Sequence, residues 1–404
     1  MNIPFSPPYI DADIENEVLD CLRSGWITTG PKVRDLELLC SKINNIEKSV
    51  CVNSWTSGAA LVLKWLGLQE GDEIIVPAYT YSATALAVLH AGAKIVMVDV
   101  LPDFTIDPVA ISRAITSKTK AIFAVDIAGW PCDYQTIRSI IESKEVANLF
   151  IPTSDSQQIL RRPMLISDAA HSLGATYQNQ SAAKASDITI YSLHAVKNVT
   201  TAEGGVICLN LPQPFSNEGV YKWMKLNSLN GQTKDAFTKN QGGGWRYDII
   251  YDGLKINMPD ICAAIGLAQL RKYQSELLPE RERVFIHYNN FFSKKSWAII
   301  PKYQDEIRKS SFHLYPLRIK NFTEEKRDII IEEMTKLGIA TNVHFIPLPM
   351  LTLWKEHGFK IEDFPIAYSN YACEISLPIY PQLTNEQCSL IELNLEKIYN
   401  NISD

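Results

Sequence analysis

The stretch from Trp55 to Asn210 constrains the fold most strongly, because short β-branched apolar runs alternate there with segments of helical length. The six runs are EIIVPA from Glu73, KIVMVDV from Lys94, AIFAVDIA from Ala121, MLISDAA from Met164, ITIYSLH from Ile188 and GVICLN from Gly205. Nearly continuous apolar strands separated by helices are typical of a parallel sheet that is buried on both faces. The pattern therefore predicts an α/β fold with a mostly parallel central sheet.

The pattern changes after Asn210. A polar, glycine-rich stretch, NGQTKDAFTKNQGGGWRYD, precedes PDICAAIGLAQLRKYQ, whose proline and basic final turn are typical of a helix start and a helix end. Charged helical segments and two strand-like pieces, SFHLYPLRI and ATNVHFI, follow. We therefore predict a large α/β domain with its N-terminal segment over residues 1–258, and a smaller α+β domain over residues 259–404. Residues 142–162 interrupt the α/β rhythm and are expected to form a surface excursion.

The composition of the 404-residue chain is that of an ordinary globular protein, with 46% hydrophobic residues and a net charge of −6. An acidic chain is a poor candidate for binding nucleic acid. The N-terminus carries acidic residues and prolines where a secretory signal needs a basic start and an apolar run, and no apolar stretch is long enough to span a membrane. The eight cysteines are scattered singly, as in a reducing compartment, so a cytoplasmic location is expected.

Several common chemistries lack their motifs in this sequence. It contains neither GxGxxG nor GxxxxGK[ST], which disfavours the usual dinucleotide and triphosphate sites. It also contains no GxSxG nucleophile elbow, and its seven histidines form neither HExxH nor a tight cluster with cysteines. We therefore expect no metal site, and the redox, kinase, metalloprotease and hydrolase classes are disfavoured.

Polar residues follow three of the predicted strands where each strand ends. They are Tyr79 to Tyr81, Asp168 to His171 and Ser192 to His194. In open α/β sheets, ligands bind just beyond the carboxyl ends of the strands. The sequence therefore predicts a ligand site that these segments share.

Two of the polar residues, Asp168 and Lys197, suggest a particular cofactor. Taken alone, Asp168 could cap the helix that follows its strand, and Lys197 could be a solvated surface charge. However, Lys197 lies in the crowded segment YSLHAVKNVTTAEGG, and a crowded lysine loses its proton readily and attacks carbonyl groups. An acid and a lysine at neighbouring strand ends are what pyridoxal phosphate requires. SWTSGAAL begins a helix whose first amides, those of Thr56 and Ser57, are candidates for binding the phosphate.

Five segments in this order resemble the DegT/DnrJ/EryC1/StrS family of nucleotide-sugar aminotransferases: SGWITTGPKVRDLE, GDEIIVPAYTYSATA, SDAAHSLGA, SLHAVKNVTTAEGG and LKINMPDICAAIGLAQL. The likeness extends from about Pro4 to ISLPIYPQLT near the C-terminus, essentially the whole chain. It implies the aspartate aminotransferase fold, which is fold type I of the pyridoxal-phosphate enzymes. It also implies pyridoxal phosphate as the cofactor, with pyridoxamine phosphate as the intermediate.

The resemblance implies a role for each matched position. Lys197 is the Schiff-base lysine and Asp168 is the partner of the pyridine nitrogen. His171 lies beside the ring hydroxyl, and Tyr81 stacks on the ring. Thr56, Ser57 and Ser192 bind the phosphate. Asn257 reaches the phosphate of the neighbouring subunit, which implies a homodimer with shared active sites. Purely structural alternatives stay open: Tyr81 as core packing, His171 as a helix-start residue, and Asn257 as a turn residue.

The resemblance further implies that an amino group passes from glutamate to a nucleotide-linked keto sugar. A UDP- or dTDP-linked 4-keto-6-deoxyhexose is expected, giving a 4-amino sugar for surface polysaccharide or glycan biosynthesis, because WITTGP around Thr29 resembles the 4-aminating members. The candidate groups for the substrate pyrophosphate are Lys32, Arg246 and His344. The alternatives are a 3-keto sugar aminotransferase, a sugar dehydratase and a non-catalytic regulatory relative. The dehydratases replace the lysine with histidine, whereas position 197 is lysine.

Overall fold

The computed structural model describes residues 2–234 and 246–403, so part of the glycine-rich stretch lies outside the described residues. The strands are β1 (Lys48–Val52), β2 (Glu73–Pro77), β3 (Lys94–Val98), β4 (Thr119–Val125), β5 (Met164–Asp168), β6 (Thr176–Tyr177), β7 (Gln180–Ser181), β8 (Ile188–Ser192), β9 (Gly205–Leu209), β10 (Ala298–Ile299), β11 (Arg308–Lys309), β12 (Tyr315–Ile319) and β13 (Glu374–Leu377).

The described α-helices are α1 (Ala12–Arg23), α2 (Pro31–Asn44), α3 (Trp55–Leu66), α4 (Ala83–His90), α5 (Pro108–Ala114), α6 (Tyr134–Ile141), α7 (Lys144–Leu149), α8 (Asp155–Leu160), α9 (Asn217–Asn227), α10 (Asp260–Lys272), α11 (Leu278–Phe292), α12 (Glu324–Lys336), α13 (Thr352–Glu356), α14 (Pro365–Ala372) and α15 (Asn385–Ser403). A π-helical turn, Tyr273–Leu277, joins α10 to α11. Within the part of the chain that the structure describes, no helix combines the length and apolarity needed to cross a bilayer.

A seven-stranded sheet forms the centre of the molecule, with the order β1-β9-β8-β5-β4-β2-β3. The neighbours among β3, β2, β4, β5 and β8 pair in parallel, whereas β9 is antiparallel to both β8 and β1. All six predicted runs are strands of this sheet, and the predicted α/β class with a mostly parallel sheet is confirmed. The edge strand β1 was not predicted.

Alternate side chains of the central strands pack on opposite faces of the sheet. In β2, Ile74 and Val76 join a core cluster with α3, whereas Ile75 joins the cluster that α6 covers. Every residue of β2, β4 and β5 is buried. This two-sided burial explains why these strands are continuous apolar runs and do not alternate with polar residues.

A second, three-stranded sheet lies in the C-terminal part, with β12 between β10 and β13 and antiparallel to both. Strand β12 falls within the predicted piece SFHLYPLRI. The other predicted piece, ATNVHFI, forms no strand and makes only an isolated bridge from Asn342 to Ser376 of β13. The strand prediction for ATNVHFI is therefore wrong, and β13 was not predicted.

The two parts of the chain are interwoven at their junction. Helix α10 packs with α2, where Val33 and Leu36 share a core cluster with Ala263 and Leu267. In the opposite direction, Ile3 is buried in the core of the C-terminal part, and its backbone N–H donates to the carbonyl of Gly338 over 2.8 Å. The domain boundary at residues 258 and 259 stays a prediction.

The excursion over residues 142–162 contains two short helices, α7 and α8. The side chains of Ser143 and Ser154 cap these helices by accepting from the amides of Val146 and Gln157. The segment rests on the sheet near its amino end, where the buried ammonium of Lys120 donates to the carbonyl of Ile151. It therefore lies away from the carboxyl ends of the strands.

Candidate active site

A cavity of about 470 Å³ opens at the carboxyl ends of the central strands. Segments that follow β2, β5 and β8 line one side, and residues of the C-terminal part, such as His313 and Phe345, line the other. Ligand pockets commonly occur at such junctions between packed units. Seven of the predicted site residues line the cavity: Thr56, Tyr81, Asp168, His171, Ser192, Lys197 and His344.

Asp168 ends β5 and is 4% exposed. The hydroxyl of Thr84 donates to its Oδ2 over 2.7 Å, and the amide of Ala170 donates to its Oδ1 over 3.2 Å. Burial raises the pKa of Asp168 to about 6, although these two hydrogen bonds act in the opposite direction. The result is a rigidly oriented carboxyl group that lies against the cavity.

Lys197 lies in a turn between β8 and β9, where its backbone N–H donates to the carbonyl of His194 over 2.9 Å. Burial lowers the pKa of its amine to about 8, and the charge of Asp168 raises it in part. A lysine amine with this pKa is neutral in an appreciable fraction of molecules near pH 7. The turn therefore presents to the cavity an amine that can act as a nucleophile or as a base.

Two adjacent imidazoles, those of His171 and His313, form another wall of the cavity, with ring centroids 4.3 Å apart and ring planes tilted by 33°. Burial holds the pKa of each imidazole well below its usual value, and the nearby charge of Lys197 acts in the same direction. The amide of Ala128 donates to Nδ1 of His171 over 3.2 Å, so Nε2 of this neutral ring carries the proton. His171 therefore offers a hydrogen-bond donor without adding a charge.

His344 also lines the cavity, and its Nδ1 lies 2.9 Å from the hydroxyl oxygen of Ser376. Burial lowers the pKa of His344 to about 3, and the charge of Lys197 contributes. The imidazole is therefore neutral at neutral pH and can offer hydrogen bonds but no charge to a pyrophosphate.

Helix α3 directs its N-terminus to the cavity, which Ser54, Trp55 and Thr56 line. Ser57, however, does not line the cavity. Its amide donates to Oγ of Ser54 over 3.0 Å as part of the helix cap, and its hydroxyl oxygen accepts from Ser54. Thr56 and Ser192 are thus brought to the cavity directly, whereas Ser57 lies one residue behind it.

Besides Ser57, four predicted residues do not line the cavity of their own chain: Thr29, Lys32, Arg246 and Asn257. The amide of Asn257 donates to Oγ1 of Thr29, and the Thr29 hydroxyl donates to the carbonyl of Met258, both over 2.6 Å. The ammonium of Lys32 pairs with Glu17 in place of facing the cavity. Arg246 is exposed. The structure therefore joins Thr29 to Asn257 but keeps all four residues away from Lys197 of the same chain.

The comparisons with known proteins agree with this geometry. The model of the DegT/DnrJ/EryC1/StrS aminotransferase family matches residues 8–393. The chain belongs to this family. It is similar to the putative sugar aminotransferase Spr1654 of Streptococcus pneumoniae, whose PMP form is 42% identical with a TM-score of 0.95 and covers 99% of this chain and 100% of that chain. The PLP form of the same protein is 40% identical, with a TM-score of 0.94 and full coverage of both chains.

Two further relatives are more distant. The spore coat polysaccharide biosynthesis protein SpsC of Bacillus subtilis is 32% identical over 95% of this chain and 94% of its own length. PseC of Helicobacter pylori, an aminotransferase of pseudoaminic acid biosynthesis, is 25% identical with a TM-score of 0.86, over 99% of this chain and 100% of that chain. The predicted family and fold type I architecture are confirmed, and so are the transaminase class and pyridoxal phosphate as the cofactor.

The residues that surround the cavity fit this cofactor. Lys197 supplies an amine of lowered pKa, and Asp168 supplies a buried carboxyl group that already accepts two hydrogen bonds. The N-terminus of α3 supplies a polar end suited to a phosphate. The cavity thus offers a suitable group to each chemically distinct part of pyridoxal phosphate: an amine for its aldehyde, a carboxyl group for its ring nitrogen and a helix N-terminus for its phosphate.

Several residues that line the cavity escaped the sequence analysis, among them Thr84, His313 and Phe345. Thr84 lies in the first turn of α4, where a threonine gives no signal of a contact to Asp168. His313 lies two residues before β12, and its segment indicates only a strand. Phe345 lies 5.8 Å from the ring of His171 and follows a histidine in a piece that resembles a strand. Only tertiary structure brings these residues to the cavity.

Proposed function

We propose that this aminotransferase moves the amino group of glutamate to a nucleotide-linked keto sugar, a UDP- or dTDP-4-keto-6-deoxyhexose, and forms a 4-amino sugar for surface polysaccharide or glycan biosynthesis. The main support for the proposal is that Lys197 and Asp168 line the same cavity. The pKa of the lysine is lowered there, and the pKa of the aspartate is raised. The sugar-related names of Spr1654, SpsC and PseC support the substrate class. A cytoplasmic location is part of the proposal, since glutamate and nucleotide sugars are made there.

Lys197, Asp168, His171, Tyr81, Thr56, Ser57 and Ser192 would hold the cofactor. When bound, pyridoxal phosphate carries the amino group between the two substrates and spreads the electrons of the carbon that loses its proton. The carboxylate of Asp168, which Thr84 and Ala170 orient, would keep the ring nitrogen protonated. Nε2–H of His171 would donate to the ring hydroxyl without adding a competing positive charge.

Lys197 moves the proton in this proposal. In its neutral form, the amine nitrogen takes the proton from the α-carbon of glutamate, and it later returns a proton to the carbon of the sugar that receives nitrogen. A pKa of about 8 suits both directions, because neither protonation state is strongly favoured near neutral pH. Glutamate leaves as 2-oxoglutarate, and the keto group of the sugar becomes an amine.

The uncharged imidazoles and the aromatic ring in the cavity lining suit the sugar better than its phosphates. His313 and His344 offer uncharged nitrogens, and the exposed ring of Tyr81 offers an apolar surface to a hexose or to the cofactor ring. Lys32, which pairs with Glu17, and the exposed Arg246 both remain proposed contacts for the pyrophosphate. Position 197 is lysine, which favours amination over the dehydratase alternative.

A homodimer with shared active sites is also proposed. Asn257 and Thr29 are hydrogen-bonded to each other outside their own cavity, so in a dimer they could complete the cavity of the second subunit. A mixture of Lys197→Ala and Asn257→Ala chains tests this arrangement, because mixed dimers would contain one cavity with both residues intact. Activity in the mixture well above either single variant is expected. No gain after co-refolding would contradict shared sites.

The substrate is tested by incubating the purified holoenzyme and glutamate with UDP- and dTDP-linked 4-keto and 3-keto sugars. Mass spectrometry detects the exchange of oxygen for nitrogen, and NMR locates the amine on the ring. Amination at C4 of a 6-deoxy sugar, with formation of 2-oxoglutarate, is expected. Amination at C3, or dehydration without nitrogen transfer, would refute the proposed reaction. A Lys197→Ala control should give no product.

A further inference from the structure

Asn198 directly follows the active-site lysine, and its side chain contacts three residues in two separate segments of the fold. Its Nδ2 donates to the hydroxyl oxygen of Tyr273 over 3.0 Å and to the carbonyl of Ser311 over 2.9 Å. Its Oδ1 lies 2.8 Å from Nδ1 of His313. Asn198 is 7% exposed, so water does not compete strongly for these contacts. All three hydrogen bonds of the Asn198 side chain are therefore made to other groups of the protein.

The direction of each of these hydrogen bonds is fixed by its neighbours. The Tyr273 hydroxyl donates its only hydrogen to the carbonyl of Leu173 over 2.6 Å, so its oxygen must accept from Asn198. The carbonyl of Ser311 can only accept. Both hydrogens of the Asn198 amide are thus used, and its oxygen must face His313. Because that oxygen has no hydrogen to give, Nδ1 of His313 must be the donor.

Asn198 therefore determines the tautomer of His313. The ring is neutral, so a proton on Nδ1 leaves Nε2 with a lone pair. Nε2 has no hydrogen-bond partner in residues 2–234 or 246–403, and His313 lines the cavity. His171, whose ring centroid lies 4.3 Å away, has the opposite tautomer, because its Nδ1 accepts from the amide of Ala128. The paired rings provide one N–H donor and one acceptor without a net charge.

The segment that Asn198 contacts is itself fixed to the large sheet. The hydroxyl of Ser311 donates to the carbonyl of His171 over 2.6 Å, and its amide donates to the carbonyl of Gly129 over 3.1 Å. The amide of His313 donates to the carbonyl of Ala128, also over 3.1 Å. Asn198 thus joins the lysine turn to a segment that cannot shift without breaking these bonds.

We propose that Asn198 is a positioning residue of the active site, which fixes the Lys197 turn to the segment 310–314 and holds His313 as the Nδ1–H tautomer, so that an uncharged acceptor nitrogen faces the cavity beside the lysine. The significance for catalysis rests on the proposed function, because Lys197 is there the proton carrier. The hydrogen-bond assignment itself does not depend on the substrate.

The tautomer is measurable in the cofactor-free protein by NMR of uniformly ¹⁵N-histidine-labelled samples, with the signals of His313 identified by their loss in His313→Gln. We expect a protonated Nδ1 and an unprotonated Nε2 in the wild type across neutral pH. A protonated Nε2 in the wild type would overturn the proposal, and this measurement requires no change at Asn198.

Variants separate this role from general packing. In Asn198→Ala we expect His313 to lose its single tautomer and to show a mixture or the Nε2–H form. The matched control Tyr273→Phe removes another partner of the same amide and leaves the bond to His313, so its tautomer should match the wild type. An unchanged tautomer in Asn198→Ala, or an equal change in both variants, would contradict the proposal.

A second measurement follows Lys197 itself in the cofactor-free protein, through the pH dependence of its acylation rate read by peptide mass spectrometry. In Asn198→Ala the midpoint should move below that of the wild type, because a ring free to present an N–H disfavours the neighbouring ammonium. Tyr273→Phe should retain the wild-type midpoint. A merely structural role for Asn198 would lower stability without moving this midpoint, and that outcome would refute the proposal. Neither measurement depends on which sugar is aminated.

Discussion

Buried charged side chains form ion pairs with one another at one end of the central sheet and, among the described residues, none at the other. At the amino ends, Arg162 and Asp187 form a two-pronged ion pair, with N–O distances of 2.7 and 2.8 Å. Lys120 lies 3.6 Å from Asp72 in the same region. At the carboxyl ends, no ion pair joins Asp168 or Lys197 to another residue of the described chain. Buried charges at the amino ends of the strands are thus paired within the fold, whereas those at the carboxyl ends are available to a ligand.

The pKa values show what this difference means. Burial alone would raise the pKa of Asp187, but the hydrogen bonds and charge of Arg162 reverse the effect and lower it. Asp168 is buried to a similar degree without a cationic partner, and its pKa rises to about 6. The cost of burying a carboxylate is therefore offset by an arginine at the amino ends of the strands. At the carboxyl ends, no ion pair of the described chain offsets this cost, and the bound cofactor would do so.

The largest expected effect is on turnover. Lys197→Ala removes the only amine among the described cavity residues, so kcat should fall by about 10³-fold or more. The free energy of unfolding of the cofactor-free variant should not fall correspondingly, since the lost group is an unpaired buried cation. Steady-state assays of 2-oxoglutarate formation and urea denaturation test both statements. Near-normal turnover would show that another group carries the proton.

The second prediction concerns stability at the amino ends. Asp187→Asn removes the buried counterion of Arg162 and leaves only the exposed Glu142, 3.6 Å away, so the free energy of unfolding should fall by up to about 3–5 kcal/mol. Asp168→Asn, the matched change at the other end, should cost less than about 1 kcal/mol in cofactor-free protein yet severely reduce turnover. Urea unfolding of both variants makes the comparison. An equal loss in the free energy of unfolding for Asp187→Asn and Asp168→Asn would contradict the difference between the two ends of the sheet.

The third prediction is a pH dependence of opposite sign at the two ends. The folded pKa of Asp168 exceeds its unfolded value of 3.8, so between pH 4 and about 6 the folded state binds more protons. The wild type should therefore lose stability relative to Asp168→Asn as the pH rises through this window, by an amount on the order of 2–3 kcal/mol. Asp187 has a lowered pKa, and its stabilising contribution is present above pH 4 and lost as the pH falls.

Urea unfolding of the cofactor-free proteins between pH 3.5 and 7 measures these differences. Stability differences from the wild type that change in the same direction with pH in both variants would contradict the assignment. Asp126, whose pKa burial also raises to about 6, is present in every variant, and its charge adds to the rise in the pKa of Asp168.

The sequence was sufficient where the signal is local. The apolar runs around Ile75 and Ile166 predict strands because both faces are buried, and the polar strand ends predict the cavity edge from parallel topology alone. Asp168 and Lys197 follow from the chemistry that these positions favour. The strand β1 was missed because KSVCV begins with two polar residues and contains only three consecutive apolar ones.

Contacts between distant segments could not be predicted in the same way. His313 reaches the cavity only because its segment pairs with residues 128 and 129, far away in the chain. The family resemblance named Thr29 and Asn257, but nothing in their sequence indicates that they hydrogen-bond to each other outside their own cavity. Such placement depends on tertiary packing, which periodicity does not encode.

The smallest predicted effect concerns Thr84, which ties α4 to the site. Thr84→Val keeps the shape of the side chain but removes the hydroxyl that donates to Asp168 over 2.7 Å. Hydrogen bonds to charged groups contribute about 1.5–3 kcal/mol, so the ionised form of Asp168 should become less favourable and its pKa should rise above that of the wild type. NMR of ¹³C-labelled aspartate in cofactor-free protein measures this pKa.

The variant Thr80→Val provides the control for Thr84. The hydroxyl of Thr80 lies 3.0 Å from that of Thr84 but does not contact the carboxyl group, so its removal should leave the pKa of Asp168 close to the wild-type value. A pKa that stays unchanged in Thr84→Val would mean that burial and Ala170 alone orient the acid. A rise in the pKa of Asp168 that occurs in Thr84→Val but not in Thr80→Val would show that an uncharged donor lowers the pKa of this unpaired carboxylate. At the other end of the sheet, the pKa of Asp187 is lowered by a cation, Arg162.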